Sequence, residues 1–267
     1  MLLTRILTAI VLVIVLAVVL FWLPKALALG ALGLLTLAGA WEWAAFAGLT
    51  RTAGRAAYVA ACLVLITVLW GFVSSAGGFR CIMTVTLLWW MIAFLWVALA
   101  PTKGRPVLAG LAGLVALPPM WIAMAHLFDS GVLGRELLIF ALLLGWAADV
   151  GAYFGGRRFG RTKLAPRVSP NKTWEGVLGG LLAGSIVAVA GLAWFGFSAE
   201  AFLPLCIAAL LASVVGDLTE SMFKRQVGIK DSGTILPGHG GVLDRIDSLT
   251  AAIPILSLGL SWMGVVS

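Results

Sequence analysis

The chain alternates long apolar runs with short polar ones. Nine segments are long and apolar enough to be read as helical spans: roughly 6–23, 26–48, 57–73, 82–99, 107–127, 137–154, 175–196, 201–222 and 247–266. The first two are separated only by Pro24 and Lys25, which predicts a tight helical hairpin. The opening has the order of a secretory leader, with Arg5, an apolar run and then Ala26-Leu27-Ala28. Its run Ile6–Leu23 is longer than the apolar part of such a leader, and more spans follow, so it is read as a first, uncleaved span. The predicted fold class is all-α: a polytopic transmembrane bundle of about nine helices. No polar stretch is long enough to build a second core, so residues 1–267 are expected to form one membrane domain. Its N-terminal helices run to about 106, and the loops that carry chemistry lie in about 137–267.

Composition points the same way. Of the 267 residues 62% are hydrophobic, where a soluble domain holds about 45–50%. The mean hydropathy is +1.10. A net charge of +7 could suggest nucleic acid, but the basic residues sort by loop. With a cytoplasmic N-terminus and nine alternating helices, 15 of the 18 Lys and Arg fall on the cytoplasmic side, and only Lys25, Arg80 and Arg135 fall outside. That split predicts an outer C-terminus and leaves no role for nucleic acid. Cys62, Cys81 and Cys206 show no metal-binding spacing and are read as small packing residues. The many glycines, as in Gly176, Gly179, Gly180 and Gly184, are read as close helix packing and leave a homodimer face open. Glu42 lies within the second span between Trp41 and Trp43. An acid there either has a partner or a function, or sits in an aromatic belt near the inner interface, which is the expectation taken here.

Charge is scarce, so its concentration in two cytoplasmic loops is informative. The loop at about Gly155–Trp174 carries six basic residues and no acid. Asp149 precedes it, and the next helix is predicted to open near Ser169-Pro170 with Glu175 in its first turns. Such a loop either binds anionic headgroups or cradles phosphate through glycine backbone and Lys/Arg. The second stretch, Ser221–Asp247, is preceded by Asp217 and Glu220. Asp217, Ser221 and Lys224/Arg225 share a helix face by spacing, and Asp244 and Asp247 lie one turn apart where the ninth helix begins. If those helices pack together, carboxylates converge at the membrane face. Ion pairing alone could account for them, but carboxylates beside basic residues and a glycine turn, Gly238-His239-Gly240-Gly241, also suit Mg²⁺ and a nucleotide. No phosphate-binding P-loop, zinc pattern or Ser-His-Asp order is present.

The run Ser221-x-Phe223-Lys224-Arg225-x4-Lys230-Asp231-x-Gly233-x2-Leu236-Pro237-x-His239-Gly240-Gly241-Val242-x-Asp244-Arg245-Ile246-Asp247 resembles the signature of the phosphatidate cytidylyltransferase (CDP-diacylglycerol synthase) family. Ser169-Pro170-x-Lys172-Thr173-x-Glu175-Gly176 resembles the same family, with Val150 and Asn171 in place of the Thr and Lys common there. The resemblance implies transfer of the cytidylyl group of CTP to phosphatidic acid, giving CDP-diacylglycerol and pyrophosphate with Mg²⁺, at the cytoplasmic face of a bacterial inner membrane. It implies Asp217 and Asp244 as metal ligands, with Asp247 and Asp231 next. Ser221, Lys224, Arg225, Lys230, His239 and Arg245 would hold phosphates; Lys163, Ser169, Lys172 and Thr173, with the backbone at Gly240 and Gly241, would complete the pocket. The rival readings are a transporter of an anionic phosphate-containing substrate and a lipid-binding scaffold. A transporter predicts charges near mid-membrane, whereas the acids here lie mainly at helix ends.

Overall fold

The computed structural model describes residues 2–75, 77–101, 104–236, 238 and 240–266, without the side chains of residues 2–10 and 12. Nine long helices are present among the described residues: α1 (Leu2–Phe21), α2 (Lys25–Trp43), α3 (Thr52–Val73), α4 (Gly78–Leu99), α5 (Pro106–Asp129), α6 (Gly134–Phe159), α7 (Trp174–Phe195), α8 (Ala199–Gln226) and, after a four-residue helix α9 (Leu243–Ile246), α10 (Leu249–Trp262). Among the described residues seven segments are long and apolar enough to cross a membrane. The chain is therefore a polytopic helical membrane protein, as the hydrophobic pattern predicts.

The contacts at the helix ends agree with alternation. At one end Lys25 pairs with Asp129, and the Arg80 guanidinium donates to the Ser261 carbonyl at 2.6 Å. At the other end Gln226 donates to the Pro101 carbonyl at 3.0 Å, and Arg225 to that of Val168 at 3.3 Å.

Three departures from the sequence reading matter for the site. The basic loop folds back as a two-stranded hairpin, β1 (Lys163–Ala165) and β2 (Ser169–Thr173), so α7 opens at Trp174 and not near Ser169. Pro170 cannot donate to a helix, while Thr173 is a good cap: its Oγ1 accepts from the Gly176 N–H at 3.1 Å. Second, Asp244 lies in α9 and Asp247 ends it, so neither belongs to the ninth long helix. That helix is only 14 residues, about 21 Å, because α9 takes up the preceding turn. Third, Cys62 and Cys206 are buried as packing residues, but Cys81 is exposed on the outer surface of α4.

A single set of buried apolar residues runs from Leu20 to Val266. The tightest seam joins α6 to α7 through facing glycines. A side chain at Gly179 would put its Cβ 2.6 Å from the Gly151 carbonyl oxygen and 3.1 Å from the Gly155 Cα, so the two backbones touch. Gly179→Ala should therefore cost about 1–3 kcal/mol of stability, read as a lower unfolding midpoint in detergent. Gly30→Ala, which meets nothing within 4 Å, should leave that midpoint unchanged or slightly raised.

Candidate active site

The C-terminal ends of α6 and α8, the N-terminal end of α7, the β1–β2 hairpin and α9 enclose a cavity of about 700 Å³. Its charged end presents Asp149, Asp217, Asp231, Asp244 and Asp247 with Lys172, Lys224 and Arg245. Its other wall is apolar, from Leu181 on α7 and Leu210 and Val214 on α8. Helix geometry explains the arrangement. Asp217, Ser213 and Leu210 follow one another up a single face of α8, so one helix carries both the charged end and the apolar wall.

Lys224 is the electrostatic centre. Its side chain is only 10% exposed, and its ammonium lies 2.7 Å from Asp244 Oδ1 and 3.2 Å from Glu220 Oε1. Asp244 is engaged on both oxygens, because Oδ2 also accepts from the N–H groups of Gly241 at 2.8 Å and Ser232 at 3.0 Å. Burial works to raise the Asp244 pKa, but Lys224 and the two backbone donors outweigh it and hold the carboxyl below its ordinary value. Asp247 behaves oppositely: enclosure first, then the nearby Asp217 and Glu220 carboxylates, raise it well above the usual carboxylate range. Asp217 pairs with Lys172 from β2, and Ser221 donates to its Oδ1 at a long 3.4 Å.

The residues predicted for the site divide into groups. Asp217, Lys224, Asp231, Asp244, Arg245, Asp247, Ser169, Lys172 and Thr173 all line the cavity. Thr173 spends its hydroxyl oxygen on capping α7. Arg225 turns away to the Val168 and Ile229 carbonyls and ties α8 to the hairpin. Lys163 and Lys230 are exposed, and neither lines the cavity. Gly240 takes φ +82° and receives the Leu236 N–H, and Gly241 supplies its N–H to Asp244. His239 and Pro237 lie outside the described residues. Asp217 and Asp244, far apart in sequence, open onto the same cavity.

Glu42 overturns its expectation. It is 2% exposed and accepts from Ser232 Oγ at 2.9 Å, Val242 N at 3.1 Å and Leu243 N at 2.8 Å. Its partners are the charged loop, not an interfacial belt. An acid between two tryptophans inside a span was the signal available; the partners, about 200 residues away, could not be read from it. Glu175 is likewise committed, accepting the Arg161 N–H at 3.1 Å and the Thr162 N–H at 3.1 Å to tie the end of α6 to α7.

The donor set suits a divalent cation in one respect. Among the described residues the buried Glu220 carboxylate has no hydrogen-bonding neighbour other than the Lys224 ammonium, 3.2 Å away, and the Asp247 carboxyl, with Asp217 close by. Among the described residues no three His, Cys, Asp or Glu side chains converge to hold an ion by themselves. Mg²⁺ needs only one or two carboxylates when phosphate oxygens complete its shell, so an acidic edge of this kind fits a metal that arrives with a polyphosphate.

The family model described as the cytidylyltransferase family matches residues 3–263. The chain belongs to the cytidylyltransferase family. A protein named phosphatidate cytidylyltransferase from Pseudomonas aeruginosa is 45% identical over 98% of this chain and 97% of its own. One of the same name from Haemophilus influenzae is 40% identical over 96% of this chain and 98% of its own. A third, from Staphylococcus saprophyticus, is 42% identical over 54% of this chain and 56% of its own. This family member thus combines a nucleotide-transfer signature with a cavity that is charged at one end and apolar at the other.

Removing Lys224 should expose how the charges depend on one another. Lys224→Met leaves Glu220 and Asp244 without their cation and should cost about 3–5 kcal/mol, measured as a lowered unfolding midpoint. Adding Glu220→Gln to Lys224→Met should recover part of that loss.

Proposed function

We propose that the protein transfers the cytidylyl group of CTP to phosphatidic acid, producing CDP-diacylglycerol and pyrophosphate, at the cytoplasmic face of a bacterial inner membrane. The observation that carries this reading is the 45% identity, over nearly the whole of both chains, with a protein named phosphatidate cytidylyltransferase. The two-ended cavity supports it, because one substrate is a dissolved polyanion and the other has a charged head on apolar tails. The 15-to-3 distribution of Lys and Arg supports the cytoplasmic placement.

The chemistry asks little covalent work of the protein. An oxygen of the lipid phosphate, already anionic, attacks the α-phosphorus of CTP; the new P–O bond forms as the bond to the bridging oxygen breaks, and pyrophosphate leaves with that electron pair. The protein must bring two anions together and hold them in line. Lys172 and Arg245, at the charged end, neutralise phosphate charge, with Lys224 behind them fixing Asp244. In this reading Lys172 exchanges its partner Asp217 for a phosphate when substrate enters. Ser169 and the hairpin backbone bound the pocket on the side of α7, and the α7–α8 wall takes the acyl chains. Asp217 and Asp247 are the first candidates to hold Mg²⁺, with Asp231 and Asp244 at the same end. When bound, the metal would polarise the phosphoryl oxygens and offset the developing charge.

Purified protein given CTP, phosphatidic acid and Mg²⁺ should release pyrophosphate and CDP-lipid in equal amounts. A chelator should stop both products and added Mg²⁺ should restore them. Asp217→Asn should lower turnover by on the order of 100-fold or more while the protein stays folded. Intact lipid and intact CTP after incubation with all three components would sink the proposal; so would uptake of a labelled phosphate compound into vesicles without a new phosphoanhydride bond.

A further inference from the structure

We infer that Glu42 is a positioning residue for this reaction: from α2, outside the charged loops, its carboxylate holds Ser232 and the Val242–Leu243 entry into α9, and so places Asp231, Asp244 and Arg245. The inference rests on the functional reading above, and the geometry behind it is independent of the signature. Two carboxylates stitch the loop shut. Ser232 gives its N–H to Asp244 at 3.0 Å and its hydroxyl to Glu42 at 2.9 Å. On the returning strand of the loop Gly241 gives its N–H to Asp244 at 2.8 Å, and the next two N–H groups, of Val242 and Leu243, go to Glu42 at 3.1 and 2.8 Å. Remove Glu42 and three donors lose their acceptor at a site 2% exposed.

Sterics show that the loop is moulded on this carboxylate. A Cβ at Gly233 would run into Glu42 Oε1, and one at Gly241 into Glu42 Oε2 and Ser232 Oγ. Neither glycine has a positive φ, so each is small because Glu42 occupies the space. Glu42 is itself held from behind. The neighbouring Trp43 donates to the Ala109 carbonyl at 2.7 Å and packs 5.6 Å from the Phe223 ring, next to Lys224. Gly39, one turn earlier on α2, lets Ile246 and Leu243 of α9 come close. The N-terminal helices thus act on the chemistry through one side chain. Glu42 reaches Asp244 through the shared loop, and Lys224 through Asp244; it does not line the cavity.

The test uses the full chain. In Glu42→Gln the amide must set its NH₂ against at least one of the three donors, so the loop loses its mould at nearly unchanged volume. Turnover per folded molecule should fall about 10–100-fold, the Mg²⁺ concentration for half-maximal rate should rise, and the Michaelis constant for phosphatidic acid should hold, because its tails meet α7 and α8. Hydrogen exchange should speed up at the Val242 and Leu243 amides, a readout that needs no activity. Gly233→Ala, which displaces the same carboxylate from the other side, should reproduce both changes. Unchanged turnover and exchange in both variants would overturn the inference, as would a loss of turnover matched by the fraction of protein unfolded. Should Glu42→Gln fail to fold, Ser232→Ala removes one donor and should show the same two changes in smaller measure. Absence of cytidylyl transfer in the unaltered chain would sink the functional reading instead, leaving the exchange measurement to decide whether Glu42 holds the loop.

Discussion

An ion enclosed in a helix bundle must be paired where it sits, because removing one partner of a buried pair leaves a charge that costs several kcal/mol. Lys224 meets that demand by lying between Glu220, one turn back on α8, and Asp244 on α9. The pairing decides where α9 docks. Asp244 then has a second oxygen to spare, and it gathers the Ser232 and Gly241 amides. A short charged network therefore fixes helix α8, helix α9 and the two ends of the loop between them.

The loop needs that help. Among the described residues from Val227 to Val242 the chain has no regular hydrogen-bonding ladder beyond an isolated bridge between Leu236 and Gly240, yet part of it is enclosed by helices. Irregular backbone at such a place is tolerated only where its polar groups find partners. Asp244 and Glu42 are those partners, one from α9 and one from α2. The cost of ordering the segment is offset by charge-assisted hydrogen bonds, which are stronger than neutral ones.

Glycine supplies the complementary device. The close seam of α6 on α7 brings the backbones into contact, and α8 packs against α7 beside it, so the cavity opens at the end of that helix trio. Asp149 and Asp217 reach its charged end from two different helices, while Leu181 and Leu210 line the rest. A polar head and apolar tails can thus be met by successive turns of the same helices.

The sequence by itself determined the class of the fold, the number and order of the long helices and the position of the two charged loops, because a bilayer demands apolar segments of a set length and leaves charge only at their ends. It also marked Asp217, Lys172, Asp231, Asp244, Arg245 and Asp247, which the structure gathers around one cavity. Local spacing could not show that Ser169–Thr173 is a strand, since the partner strand and the capping role of Thr173 decide it. Nor could it show that Lys224 is shared between two acids, or that Glu42 belongs to a loop 190 residues further on. Those choices rest on which charges and donors come within hydrogen-bond reach once the helices pack, and only tertiary structure decides that distance.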